Sequence, residues 1–358
     1  NHAVQLQYKK NQNSGFPQVI TLSGGMDSRS TFLYGLSNGY TQQTGYCYGE
    51  STSIDYDFAR RLAVKNHCEF FFHAIDNGCF LLERDKICES NEGQMVYSGP
   101  SGTYDSLKFY NTNSVGIVHT GLGGGEIMGD MRVTESPGKW EKVIENLKYR
   151  LGKGRKDRSW KSFISSLQCN EEEIERINDL KAYYRDLNEF QSLNDIRRCL
   201  NSQKIAQSFG VEYVSPFLYE DFFNYMLRIP YELTKGRRLY LYWQKKYNPK
   251  QFDTPSTFML GCKPGNLVGY YTRLILQRLK NRIGGKTKMD MNPYEYWIAH
   301  NPEITKTQES LFIQDMAVIE GKTSPDFTNM LRKAWSSNTA PKPNVLTATW
   351  ALCKILQD

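Results

Sequence analysis

Between Val19 and Leu36 the chain reads VITLSGGMDSRSTFLYGL. Ser23, Gly24, Gly25, Asp27 and Ser28 crowd the junction between a β-favouring run and a helical pattern. Two glycines let a backbone pass close to a ligand. Loop amides and the first turn of a helix point N–H groups at an anion, and Ser23 and Ser28 add hydroxyl donors. Asp27 does not suit a bare phosphate, because like charges repel. A carboxylate beside such a loop implies a cation between the two, most simply Mg2+. The stretch therefore reads as a site for a di- or triphosphate with magnesium; the bland alternative is a plain strand-to-helix turn. It is not a Gly-Lys-Ser/Thr phosphate loop. GGKT at 284–287 has that ending, but Lys280 stands where the first glycine belongs.

The elements that would position these residues alternate. QVITL (18–22) reads as a strand, and Arg29 to Leu36 as a helix with Phe32, Leu33 and Leu36 on one face. TGYCYG (44–49) is a second strand. Ser53 to His67 is a helix with Ile54, Phe58 and Leu62 inward, Ser53 as N-cap, and Asp55 and Asp57 at the positive end of its dipole. EFFFHAI (69–75) is a third strand, followed by a helix to about Ser90 and a loop from Gly93 to Gly102. VGIVHT (115–120) is a fourth strand running into a second glycine-rich stretch, TGLGGGE. Strands alternating with helices predict an α/β fold with a doubly wound parallel sheet, whose ligands sit beyond the carboxyl ends of the strands. Both glycine-rich stretches fall at such ends.

The bulk composition permits this. The chain has 358 residues, 39% of them hydrophobic and 23% charged, enough for a buried core. A net charge of +7 is mild at this length and does not itself require nucleic acid. Eight cysteines without a CxxC pair read as reduced thiols of a cytoplasmic protein. His67, Cys68 and His73 straddle a helix end and a strand, an unfavourable arrangement for zinc. No apolar run is long enough for a membrane span, and no signal peptide is visible. KYRLGKGRKDRSWK (148–161) carries seven Lys/Arg against one Asp; it reads as a solvated face, with a polyanion-binding patch as the alternative. Later, VEYVSPF (211–217) reads as a short strand and 219–228 and 237–247 as helices. The remainder is mixed, with several proline-containing loops.

Four stretches together resemble a known family. Ser-Gly-Gly-X-Asp-Ser after a strand is similar to the pyrophosphate loop of the ATP pyrophosphatases. CYGESTSIDYDFARRLA (47–63), HTGLGGGEIMGD (119–130) and GVEYVSPFLYEDFFNYMLRIPYELTKGRRLYLYWQKK (210–246) resemble, in order, blocks of the asparagine synthetase synthetase-domain family. The resemblance implies an adenine nucleotide alpha hydrolase-like domain over 13–265, with a charged helical insertion at about 139–209. Residues 266–358 would be a helical C-terminal extension of that domain. It implies ATP and Mg2+, and the adenylation of a substrate carboxylate, aspartate or a related acid, with release of pyrophosphate. Amidation by ammonia or an amine then gives an amide and AMP. Ser23, Gly24, Gly25 and Ser28 would cradle pyrophosphate and Asp27 would hold the metal. Leu22, Tyr48, Thr120 and Gly121 would border adenine and ribose. Lys245 and Lys263 would be the catalytic cations.

The departures are specific. The family's acidic residue in the second loop falls at Gly125, leaving Glu126 or Asp130 to take the metal. Its base position is Leu122, which cannot take a proton. Tyr219 stands where an aspartate is usual, and Arg29 replaces a small residue. No glutaminase domain fits in the residues before the loop, so a glutaminase would be a domain or subunit outside this chain. Two other readings remain: a tRNA-modifying enzyme with the same loop, and a degenerate member that binds nucleotide without turnover. Nucleic acid is the less expected partner, because the PFL block argues against it.

Overall fold

The computed structural model describes residues 2–13, 15–99, 101–130, 171–179, 182–183, 200–201, 203–249, 254–263, 266–282, 288, 290–336 and 342–357. The basic stretch 148–161, most of the expected insertion, and GGKT at 284–287 lie outside the described residues.

Five parallel strands form the centre: β1 (Gln18–Thr21), β2 (Gln43–Gly49), β3 (Glu69–Ala74), β4 (Ile117–His119) and β5 (Glu212–Val214), in the order β3-β2-β1-β4-β5. β1 is short and rich in β-branched residues, and Val19 and Ile20 are buried because strands flank it on both sides. The chain winds outward from β1 to β3, then returns to place β4 on the other side of β1. That reversal opens a crevice between the carboxyl ends of β1 and β4, where ligands bind in such sheets.

Helix α1 (His2–Asn13), which the sequence analysis did not anticipate, packs on α2 (Met26–Ser37) and β1. α2 begins at Met26, three residues before the expected Arg29, so Asp27 and Ser28 belong to its first turn. Its polar residues are buried because their hydroxyls bond back one turn. Ser30 Oγ donates to the Met26 carbonyl at 2.7 Å, and Thr31 Oγ1 donates to the Asp27 carbonyl at 3.3 Å. α3 (Ile54–Lys65) is capped by Ser53, whose Oγ accepts from the Tyr56 amide at 3.4 Å. Its buried stripe is Asp55, Ala59, Leu62 and Ala63, one residue out of phase with the expected Ile54, Phe58 and Leu62, and this turns Asp55 inward.

α4 (Arg84–Asn91) follows β3, and α5 (Ser101–Lys108) begins inside the stretch expected to be loop up to Gly102. A short π-helical turn spans Glu126–Asp130. Past it are α6 (Glu171–Asp179), α7 (Glu220–Arg228), α8 (Tyr231–Thr234) and α9 (Arg238–Tyr247). β5 ends at Val214, earlier than expected, because Pro216 opens a 3-10 turn.

The end of the chain is helical, as the resemblance implied for 266–358 although its proline-containing loops read as mixed: α10 (Leu267–Arg282), α11 (Tyr294–His300), α12 (Pro302–Ile319), α13 (Pro325–Ser336) and α14 (Lys342–Gln357). Proline stands at the first helical position of α12, where its missing N–H costs nothing. Trp297, Ile304, Phe312, Leu346 and Trp350 share one core with Ile75, Phe80 and Ile87 beside β3. Within that core the Arg84 guanidinium grips Asp315 with two hydrogen bonds, Nη1 to Oδ2 at 2.5 Å and Nη2 to Oδ1 at 3.1 Å, and Thr349 donates a third. Among the described residues no helix is long and apolar enough to cross a membrane.

Candidate functional site

The loop after β1 folds on its own side chains. Ser28 Oγ accepts from the Ser23 amide at 3.1 Å, and the two serine hydroxyls share a hydrogen bond of 3.0 Å. Ser23 Oγ in turn accepts from the Gly25 amide at 3.2 Å. The Gly24 amide donates to Asp55 Oδ1 at 2.9 Å, a partner available only because α3 turns that carboxylate inward. Gly24 thus braces the loop from behind. A Cβ there would lie 2.5 Å from Thr257, so a side chain is excluded.

The loop after β4 closes on the first turn of α2. A Cβ on Gly121 would meet the Ser28 backbone nitrogen at 2.3 Å, and one on Gly124 would meet Asp27 Cγ at 2.6 Å. Only glycine permits this approach. The Gly125 amide donates to Asp27 Oδ2 at 3.0 Å, so the carboxylate joins the two loops. A cavity of about 380 Å³ lies between them, within the usual range of about 300–1,000 Å³ for small-ligand pockets. Ser23, Gly25, Asp27, Ser28 and Glu126 line it together with Leu22, Tyr48, Thr120 and Gly121.

The expected residues divide into two groups. Leu22, Ser23, Gly25, Asp27, Ser28, Tyr48, Thr120, Gly121 and Glu126 come together around one cavity. Gly24, Lys245 and Lys263 do not line it. Gly24's amide is committed to Asp55. Lys245 is exposed in the last turn of α9, whose buried residues are Tyr240 and Gln244. Lys263 is exposed at the end of a segment that packs on the β1 loop through the Thr257 amide, which donates to the Gly24 carbonyl at 3.1 Å. Arg29, which had no assigned consequence, straps that segment down. Its Nε donates to the Gly25 carbonyl, and its Nη1 donates to Thr254 Oγ1 and the Pro255 carbonyl, each at 3.0 Å. Leu122 lines the cavity and supplies no base.

Electrostatically the cavity is built around two uneasy carboxylates. Burial pushes Asp27 upward, against the pull of the Tyr240 hydroxyl, the Arg237 charge and the Gly125 amide. Burial also raises Glu126, and the Asp27 charge adds to the rise while Arg237 opposes it. Asp27 Oδ1 is buried with no hydrogen-bond partner. Two neighbouring carboxylates with raised affinity for positive charge, one with an orphaned oxygen, are a suitable donor set for a hard divalent cation. Among the described residues no three His, Cys, Asp or Glu side chains converge. Mg2+ commonly takes one or two carboxylates and fills its shell with water and phosphate oxygens.

Arg237 and Tyr240 were missed by sequence reasoning. Arg237 sits in KGRR, which reads as a surface charge run, yet it is half-buried at the N-cap of α9 with a left-handed φ of 60°. A left-handed non-glycine residue is a sign of local constraint, but sequence does not disclose it. Tyr240 looks like one tyrosine of an aromatic helix, LYLYW; burial against Ser30 singles it out. The chain matches no protein-family model and no curated protein.

Proposed function

We propose that the chain is an ATP-dependent amide-forming ligase of the asparagine synthetase type, with the crevice between β1 and β4 as its nucleotide site. The observation that carries this reading is the buried, unpartnered Oδ1 of Asp27, which with Glu126 lines the same cavity as the serine and glycine loop. A bound Mg2+ would neutralise phosphate charge between Asp27 and Glu126. The chain's own residues supply the remainder. The Ser23 and Ser28 hydroxyls and the N-terminus of α2 hold the leaving phosphates. The Gly121 and Gly124 approaches keep the second loop tight against them, and Arg237 adds positive charge at the same end.

In the first step an oxygen of the substrate carboxylate attacks the α-phosphorus. The bond to the bridging oxygen breaks, and pyrophosphate leaves with the electron pair. In the second, an amine attacks the acyl carbon, AMP departs and the nitrogen loses a proton. Such transfers depend on positioning and charge neutralisation more than on covalent help. Leu122 takes no proton, so the amine enters neutral or gives its proton to water or phosphate. Lys263 stands on a segment strapped beside the loop, which suits a cation that swings in over bound substrate.

A second reading has its own support: a nucleotide-binding chain without turnover. Leu122 in the wall and the exposed Lys245 and Lys263 favour it. Product analysis separates the two. The chain is incubated with ATP, Mg2+, ammonia and a panel of carboxylates led by aspartate. AMP and pyrophosphate that depend on one carboxylate, and vanish in Asp27→Ala, establish the ligase. ADP as the product refutes it, and binding without product favours the second reading.

A further inference from the structure

Part of the cavity wall is aromatic. Tyr46 and Tyr48 from β2 and Tyr213 from β5 all line it, and all belong to one cluster on a single face of the sheet. Two of their hydroxyls are committed. Tyr46 hydrogen-bonds to Ser106 on α5, and Tyr48 shares a 2.8 Å bond with Thr103 one turn earlier. The Tyr213 hydroxyl is buried and has no partner. Its backbone, in contrast, is fixed: Gln203 Nε2 donates to the Tyr213 carbonyl at 3.1 Å. An orphaned buried hydroxyl is destabilising, and phenylalanine would fill the same ring space without that cost. Such orphans are expected where a ligand brings the missing partner.

We propose that the Tyr213 hydroxyl is a nucleobase contact, bonded to the polar edge of the base of a nucleotide whose phosphates lie at Ser23, Gly25 and Ser28; this rests on the nucleotide reading above. The layout carries it. The phosphate end belongs to the loop after β1, while Tyr213 is in the middle of β5, two strands away across β4. That is about 10 Å across the strands, and the register sets Tyr213 level with Val19, about 13 Å before Ser23 along them, so the backbones lie about 16 Å apart. The tyrosine side chain covers part of that span and a nucleoside the rest, which a phosphate chain on the serines alone does not. The surroundings fit a flat base. Aromatic rings offer stacking faces, and the side chains of Met95 and Met291, which line the same cavity, adapt to its shape. Burial pushes the Tyr213 phenol well above its ordinary range, so it stays protonated as a donor.

The test is a pair of titrations on the wild-type chain and on Tyr213→Phe, with Mg·ATP and with magnesium tripolyphosphate, beside a thermal melt of each unliganded protein. The expected result is ATP bound about 5–10-fold more weakly by the variant, from one lost hydrogen bond. Tripolyphosphate affinity is unchanged, and the unliganded melting temperature is unchanged or higher. Equal ATP affinity overturns the assignment. So does an equal loss on both ligands, or a variant that melts well below wild type, since either makes the hydroxyl structural. A loss that disappears with 2′-deoxyATP moves the contact to the sugar and also overturns it. Failure of the wild type to bind either ligand removes the nucleotide reading and this inference with it. Tight wild-type binding indifferent to the substitution removes the inference alone.

Discussion

Two aspartates in two parts of the molecule show how differently a carboxylate is used. Asp315, in the helical core beside β3, has both oxygens bonded to Arg84 and a further hydrogen bond from Thr349. Asp27, in the crevice between β1 and β4, is partly covered; its Oδ2 accepts from the Gly125 amide, its Oδ1 is buried without a hydrogen bond of good geometry, and Tyr240 and Arg237 only offset the cost of burial. The first arrangement joins α4, α12 and α14 and leaves no valence over. The second leaves one carboxylate oxygen without a direct hydrogen bond, the feature on which the proposed cation site rests. A fully satisfied buried charge is a structural element; an unsatisfied one is retained for a ligand or at a cost to stability.

The largest expected consequence falls on the satisfied pair. Asp315→Ala strands the Arg84 guanidinium in the core, and urea unfolding should show a loss of about 3–5 kcal/mol. A loss below 1 kcal/mol would mean that the pair is not the tie described here.

A pH experiment sharpens the contrast through a third carboxylate. Burial lifts Asp55 from its ordinary 3.8 to about 6, despite the Gly24 amide and Arg29, which both favour its charge. Between those two values the folded chain keeps a proton that the unfolded chain has lost, so this group makes stability fall as pH rises through that window. Asp55→Asn keeps an acceptor for Gly24 and removes the charge. Its urea midpoint should gain on wild type from pH 4 to pH 6.5, by about 2–3 kcal/mol in total. A wild-type–variant difference that is flat with pH would contradict the burial argument.

Gly121→Ala tests the clasp between the two loops. Its Cβ would meet backbone only 2.3 Å away, so the loops must part. The expected cost is about 1–3 kcal/mol of stability with loss of nucleotide binding. An unchanged affinity would show that the approach is incidental. The smallest effect is expected at Lys245, exposed and away from the cavity. Its alanine variant should unfold within about 0.5 kcal/mol of wild type, and ATP binding should be unaltered. A large binding defect there would restore the role that family resemblance gave it.

Much of the frame was legible in the chain. β1 to β4 follow from β-favouring runs broken by glycine-rich turns, and Ser53 announces its own cap. The two glycine-rich loops were legible as a pair because a parallel sheet has one functional edge. What was not legible depends on partners distant in sequence. Asp55 reads as a dipole residue until β2 and the β1 loop fix the rotation of α3. Arg29 acquires meaning only when residues 254–255 arrive beneath it. Arg237 reads as one of a charge run until α9 docks on α2 and turns its N-cap towards Asp27. The two lysines, assigned by resemblance alone, are exposed on surfaces that local sequence does not distinguish from a site.

In the proposed function Asp27 forgoes stability to hold a cation and a nucleotide. Thermal unfolding of wild type and Asp27→Asn, each with and without Mg·ATP, tests it most directly. The unliganded variant should melt at or above the wild type, since it no longer places a carboxylate where burial disfavours its charge. Mg·ATP should raise the wild-type melting temperature and leave the variant where it was. A wild type indifferent to Mg·ATP, or a variant stabilised by it as much as the wild type, would contradict the claim.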